Sequence, residues 1–260
     1  MLRTRLTTDP VPGLLTGTNS TNLDLHGEDF LLKEAIARYG FEHWRAHMFS
    51  FFGWYPEPNY HVEPDRFSNL RSAIAEGLID AAYDQQAKEV CASLDEASLN
   101  QCLTRQYTAE GPLYVEVNRG LRAAHSNAVH THVGLVPWIL QFNSMLRLRP
   151  ASHELAYRGT NLTSAEIDDY RIDEFFVWAS FVSASRSRDA CLGGNVLFEL
   201  RPWGSYSHYE KRDSRDISQW SIFPEEEEIV FPLCCAFRVR EKKHLSDGVT
   251  VIAAEVVDSY

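Results

Sequence analysis

The chain has 260 residues, 44% of them hydrophobic, enough for one large domain with a real core, which excludes a wholly disordered polypeptide. Its 25 basic and 36 acidic residues leave a formal net charge of −11, which argues against nucleic acid as a partner held by phosphate neutralisation. No apolar run approaches the roughly 18 residues of a membrane-spanning helix, so no membrane partner is expected.

Residues 1–25 are rich in Thr, Asn, Pro and Gly and are expected to form a flexible lead. Arg3 and Arg5 are followed by Asp9 and Pro10, a poor secretory signal. The acceptor-like triplets at Asn19 and Asn161 matter only in a secretory context. Five cysteines cannot all pair, and none form a C-x-x-C motif, so a reducing, cytoplasmic or otherwise intracellular location is expected. From Phe30 to Phe52 apolar residues recur at helical spacing, predicting one or two helices with a break at Gly40. The three prolines of 53–64 predict a loop.

Four helices are expected next. They are Arg71–Tyr83, one within Glu89–Leu103 capped by Ser93 or Asp95, one from Pro112 to about His125, and His132–Leu148, ended by Pro150. Beyond Pro150 the texture turns β-prone, with strands predicted in Glu154–Arg158, Glu174–Ser183, Asn195–Leu200, Glu228–Val239 and Val249–Val257. A helical half followed by a β-rich half reads as α+β rather than as a doubly wound sheet. Neither G-x-G-x-x-G nor a Walker lysine motif is present.

Three segments of the β-rich half combine into a chemical pattern. The first is Tyr157-Arg158-Gly159, an arginine at a strand end followed by a residue that lets a ligand approach the backbone. The second is Phe181-Val182-Ser183-Ala184-Ser185, whose two hydroxyls share one strand face. The third is Glu225-Glu226-Glu227-Glu228-Ile229-Val230, where carboxylates two apart on an extended segment point the same way. Each alone has an ordinary reading: a salt-bridged surface arginine, a solvent-facing sheet edge, a solvated charge run.

Taken in order, they resemble the arginine-specific mono-ADP-ribosyltransferases of the Arg–Ser–Glu-x-Glu type. The spacing is similar too, with 25 residues from Arg158 to Ser183 and 45 from Ser183 to Glu228. Gly194–Glu199 is similar to the strand after the family's serine motif, and Tyr107–Gly111 with Tyr114, Asn118 and Arg119 to its helical part. The resemblance covers about Phe67 to Val257. It implies an ADP-ribosyltransferase-like two-sheet core over residues 67–260, with residues 1–66 as an N-terminal extension, flexible and then helical. The middle of the serine motif is Ala184, where Thr is frequent in the family. The four-glutamate run leaves two registers; Glu226 with Glu228 is preferred because the family's essential glutamate directly precedes the aliphatic strand.

The resemblance implies NAD+ as co-substrate, no metal, and a protein acceptor bearing a reactive arginine. Breaking the nicotinamide–ribose bond leaves positive charge on the sugar, which Glu228 would stabilise. Glu226 would orient the acceptor guanidinium and accept its proton. Arg158 would hold NAD phosphate, Gly159 would bond the nicotinamide amide, Ser183 would orient Glu228 and the ribose, and Ser185 would support that corner and the bound cofactor. Trp220 and Phe223 fall in the loop expected to meet the acceptor, or else in ordinary packing. His125, His130 and His132 read as surface or capping residues rather than metal ligands. Cys234 and Cys235 read as structural thiols, and Arg201, Lys211, Arg212 and Arg215 as a solvated basic loop. The alternatives are an NAD+ glycohydrolase using water, and a non-catalytic NAD-binding module.

Overall fold

The computed structural model describes residues 15–16, 23–25, 28–30, 66–109, 111–123, 133–178, 180–191, 193–202, 214–233 and 235–256. Short strands come first: β1 (Leu15–Thr16), β2 (Leu23–Leu25) and β3 (Glu28–Phe30). Among the described residues five helices follow: α1 (Arg66–Asp80), α2 (Asp84–Cys91), α3 (Glu96–Thr108), α4 (Pro112–Ala123) and α5 (Val136–Leu148). The second half holds β4 (Ala156–Thr160), α6 (Ser164–Asp169), β5 (Phe175–Trp178), β6 (Val182–Ser185), β7 (Val196–Arg201), β8 (Arg215–Asp216), β9 (Glu228–Phe231), β10 (Cys235–His244) and β11 (Thr250–Val256). The α+β class expected from the sequence is therefore what the chain adopts.

The helix ends follow local chemistry. Asp95 caps α3: its carboxylate accepts the Ser98 amide at 2.8 Å, and the Ser98 hydroxyl reciprocates toward the Asp95 amide at 3.1 Å. Pro112 opens α4, where its missing N–H costs nothing. A second capping box, between Thr163 and Glu166, starts α6, a helix the β-prone reading passed over. The five larger helices share one core with Tyr107, Trp138 and Phe142 at its centre. Gly77 of α1 touches the turn before α5 so closely that a Cβ there would lie 1.8 Å from the Gly134 carbonyl oxygen.

Among the described residues nine strands form one sheet in the order β1-β5-β10-β11-β7-β4-β6-β9-β8. The ladder nearly parts between β4 and β6, which share the single pair Tyr157–Ser185. On either side of that seam the sheet folds back on itself: the rings of Phe231 on β9 and Phe237 on β10, five strands apart in that order, lie 5.4 Å centre to centre. A second core fills the fold, with Phe176, Trp178, Phe198, Phe231 and Phe237 buried in it. The two expected sheets are thus one ladder folded into two layers.

Within the expected lead, Leu15–Thr16 pairs antiparallel with Phe176–Val177 and covers what would be the open edge of β5. Two expectations change. The strand predicted over Glu174–Ser183 is two strands, because β5 pairs with β10 and β6 with β9 and β4. The strand predicted over Glu228–Val239 also divides, at Pro232, which has no N–H for a ladder. The helices expected in Phe30–Phe52, the loop at 53–64, His125, His130, His132, Lys211, Arg212 and Cys234 lie outside the described residues, except that Phe30 ends β3. Among the described residues no helix is long and apolar enough to cross a membrane.

Candidate active site

The register of β6 against β9 builds the centre. Ser183 pairs with Val230 and Ser185 with Glu228, so both hydroxyls and the Glu228 side chain share one face. That face turns toward the helices, since Val230 packs in the helical core while Val182, Ala184, Ile229 and Phe231 fill the core between the layers. Ser183, Ser185 and Glu228 are all fully buried, which overturns the reading of the serines as a solvent-facing edge.

The four glutamates separate by burial. Glu226 and Glu228 are 6% and 0% exposed, whereas Glu225 and Glu227 face solvent. The geometric reason is not the strand alternation expected. Glu226 ends a 3-10 turn (Pro224–Glu226), and Glu227 takes a left-handed conformation at φ 47° and ψ 44° before Glu228 opens β9. A non-glycine residue held there stores backbone strain, a feature that concentrates at functional sites. The corner is tied down: the Ser185 hydroxyl donates to the Glu226 carbonyl at 2.8 Å, and the Arg186 amide to the Glu227 carbonyl at 3.2 Å.

Arg158 reaches this centre across the seam. Its register partner Phe198 and its near neighbour Ala156 place it on the face of the inter-layer core. The guanidinium, in a residue 6% exposed, donates to the Ser183 carbonyl at 2.7 Å and stands 6.0 Å from the Trp178 ring centre. Burying an arginine is costly unless its donors are used, and this bond uses one of five. Gly159 follows on β4. Beside it, burial pushes the Cys191 thiol up to about 11, with the Gly159 amide and the Arg158 charge pulling the other way.

Several partners were not assigned from sequence. The Tyr107 hydroxyl lies 3.0 Å from Ser183 Oγ, from a ring stacked on Phe142 and edge-on to Tyr114 and Phe181. Asn118, one turn beyond Tyr114, is 1% exposed, and neither side-chain amide atom has a hydrogen-bond partner among the described residues. Both lie in the helical stretch that carries part of the resemblance, but nothing local tells which turn of a helix will face a strand 76 residues away. Trp220 is half-buried with the Arg149 guanidinium 4.0 Å over its ring, and Phe223 is half-buried. Arg215 is no solvated loop residue: it is 1% exposed, and its Nε donates to the Leu146 carbonyl at 3.0 Å. Cys235 is buried in β10. Among the described residues no cluster of three His, Cys, Asp or Glu side chains has the arrangement of a metal site.

Two hydroxyls and a carboxylate thus share the face of β6 and β9 that meets the helices, Glu226 is buried at the turn into β9, and Arg158 bonds the β6 backbone from the other side. Carboxylates in such a site favour a reacting centre on which positive charge develops. No protein-family model matches the chain. It is 29% identical over 179 residues to a Mycobacterium avium (strain 104) protein named "Putative NAD(+)--arginine ADP-ribosyltransferase Mav". That alignment covers 67% of this chain and 20% of the relative, so the chain spans about a fifth of the length of the curated relative it matches. Among solved structures it is similar to the ADP-ribosyltransferase HopU1 of Pseudomonas syringae pv. Tomato DC3000, with a TM-score of 0.58, 19% identity and coverage of 77% of this chain and 100% of that one. It is also similar to the ADP-ribosyltransferase Vis in complex with agmatine, with a TM-score of 0.51, 19% identity and coverage of 78% and 88%. Plx2a, an ADP-ribosyltransferase toxin from Paenibacillus larvae, gives 0.51 at 14% identity, covering 73% and 97%. The fold is that of the ADP-ribosyltransferases, as the motifs implied.

Proposed function

We propose that the chain transfers ADP-ribose from NAD+ to arginine side chains of a protein acceptor, releasing nicotinamide. The observation that carries this reading is the burial of Glu226 and Glu228 at the strand of Ser183 and Ser185, whose backbone Arg158 bonds, while the other two glutamates of the run stay in solvent. Nicotinamide leaves as a neutral base and the ribose becomes oxocarbenium-like. The Glu228 carboxylate stabilises that charge and accepts a bond from a sugar hydroxyl that strengthens as charge develops. Arg158 and Gly159 hold the donor at the β4 end, with Ser183 and Ser185 lining it.

Glu226 serves the second half of the reaction. An arginine guanidinium is protonated in water and is a poor nucleophile. A carboxylate two residues before Glu228 orients it and takes its proton as the new N–C bond forms. The arginine in the name of the Mycobacterium avium relative supports this acceptor, as does the agmatine bound to Vis, itself a guanidinium compound.

Labelled NAD+ with an arginine-rich protein acceptor tests the assignment. Label should pass to the acceptor, stop with Glu228→Gln, and fall with Glu226→Gln while nicotinamide release continues. Nicotinamide release without labelled acceptor would make the chain a glycohydrolase, and a chain with neither would be a binding module. Labelling that survives Glu228→Gln would sink the mechanism.

A further inference from the structure

The two buried glutamates belong to different elements. Glu228 lies in a ladder, held by its pairing with Ser185 and by the Ile217 amide, which donates to its carbonyl at 3.2 Å. Glu226 lies one residue before the end of the loop of residues 217–227 that joins β8 to β9. Besides the packing of Ile217 in the helical core, two side chains of the helical side contact this loop. The Thr108 hydroxyl, at the last residue of α3 and fully buried, accepts the Ile222 amide at 3.1 Å and donates to the Arg105 carbonyl at 3.3 Å. Arg149, directly after α5, lays its half-buried guanidinium over the Trp220 ring at 4.0 Å. The neighbour of Thr108 on the same turn, Tyr107, contacts Ser183 instead. Consecutive residues of α3 thus hold different parts of the site: Tyr107 the serine strand, Thr108 the glutamate loop.

We propose that Thr108 and Arg149 are positioning residues for acceptor use, acting through the loop that carries Glu226 and leaving NAD+ cleavage at Glu228 untouched. This rests on the function proposed above. With the Thr108 hydroxyl gone, the Ile222 amide loses its acceptor and the middle of the loop is released from α3. With Arg149 gone, the Trp220 ring loses the cation that fixes it against α5. Either change blurs where Glu226 meets the guanidinium, and small misplacements of a positioned group are costly in rate. Glu228 keeps its ladder in both.

The test compares the wild-type full chain with Thr108→Val, Thr108→Ser and Arg149→Gln in two assays: nicotinamide release from NAD+ in water, and ADP-ribose transfer to agmatine. Thr108→Val and Arg149→Gln should lower the kcat of transfer about tenfold and nicotinamide release by no more than about twofold, the size expected for one stranded amide. Thr108→Ser, which keeps the hydroxyl, should restore transfer. Equal loss in both assays, or no loss in either, with the wild type active, overturns the inference alone. A wild type inactive in both assays overturns the proposed function and this inference with it. Arg149→Gln removes no buried hydroxyl, so it decides the matter if Thr108→Val fails to fold.

Discussion

Ser185 faces Glu228 across the β6–β9 ladder and, at the same time, gives its hydroxyl to the carbonyl of Glu226 at 2.8 Å. One residue therefore holds the main chain on both sides of the left-handed Glu227, by its hydroxyl at Glu226 and by its ladder pairing at Glu228. It also accepts the Ser187 amide at 2.9 Å. Ser185→Ala strands that amide and the Glu226 carbonyl, and should cost about 1–3 kcal/mol in denaturant unfolding. Transfer to an acceptor should fall in the same variant. An unchanged unfolding midpoint would show that the corner is held by its other bonds.

Asn118 presents the opposite case, a buried amide with nothing to bond among the described residues. Leucine has a similar size and no polar atoms to desolvate. Asn118→Leu should raise stability by about 1–3 kcal/mol, seen as a higher midpoint in urea. A lower midpoint would refute the account of this amide as unsatisfied.

Gly194 has φ +123°, and a Cβ there would lie 2.2 Å from the Thr160 carbonyl oxygen. Strand β4 ends at that threonine, two residues beyond Arg158. Next to it Asn195 clamps Leu162 with two bonds, at 2.9 and 2.7 Å. Gly194→Ala forces backbone against backbone and should destabilise by about 1–3 kcal/mol or more. Circular dichroism melting would register the loss, and a wild-type melting curve would contradict the clash.

Acid should weaken α3. The backbone and side-chain bonds from Ser98 hold the Asp95 carboxyl below its ordinary range. A group whose folded pKa is depressed adds stability above its unfolded value, and that contribution is lost as pH falls through the folded value. Thermal midpoints measured from about pH 5 to about pH 2 should therefore fall, and fall less steeply in Asp95→Asn, which caps without titrating. Parallel curves for the two proteins would remove Asp95 from the acid response.

Much of this was legible where local chemistry decides. The Asp95 cap, Pro112 at a helix start and the alternation through Val182–Ser185 depend on neighbours in sequence, and each stands in the structure. The Thr163–Glu166 capping box is equally local, though it sits in a β-prone stretch. Pairing decisions were hidden. Nothing between Phe175 and Ser185 marks the point where the chain leaves one ladder partner for another. The apolar strand that follows points to the pair Glu226 and Glu228, yet a tight turn and a left-handed residue set its geometry. Arg215 looked solvated because its sequence neighbours are polar, and its partner Leu146 lies 69 residues back.

The seam between β4 and β6 has a lasting consequence for Arg158. With one rung joining the strands there, the bond from its guanidinium to the Ser183 carbonyl works as a second rivet between the two layers. Lysine would keep the charge but not the flat fork that spans the gap. Arginine at 158 is thus part of the mechanics that join the two layers.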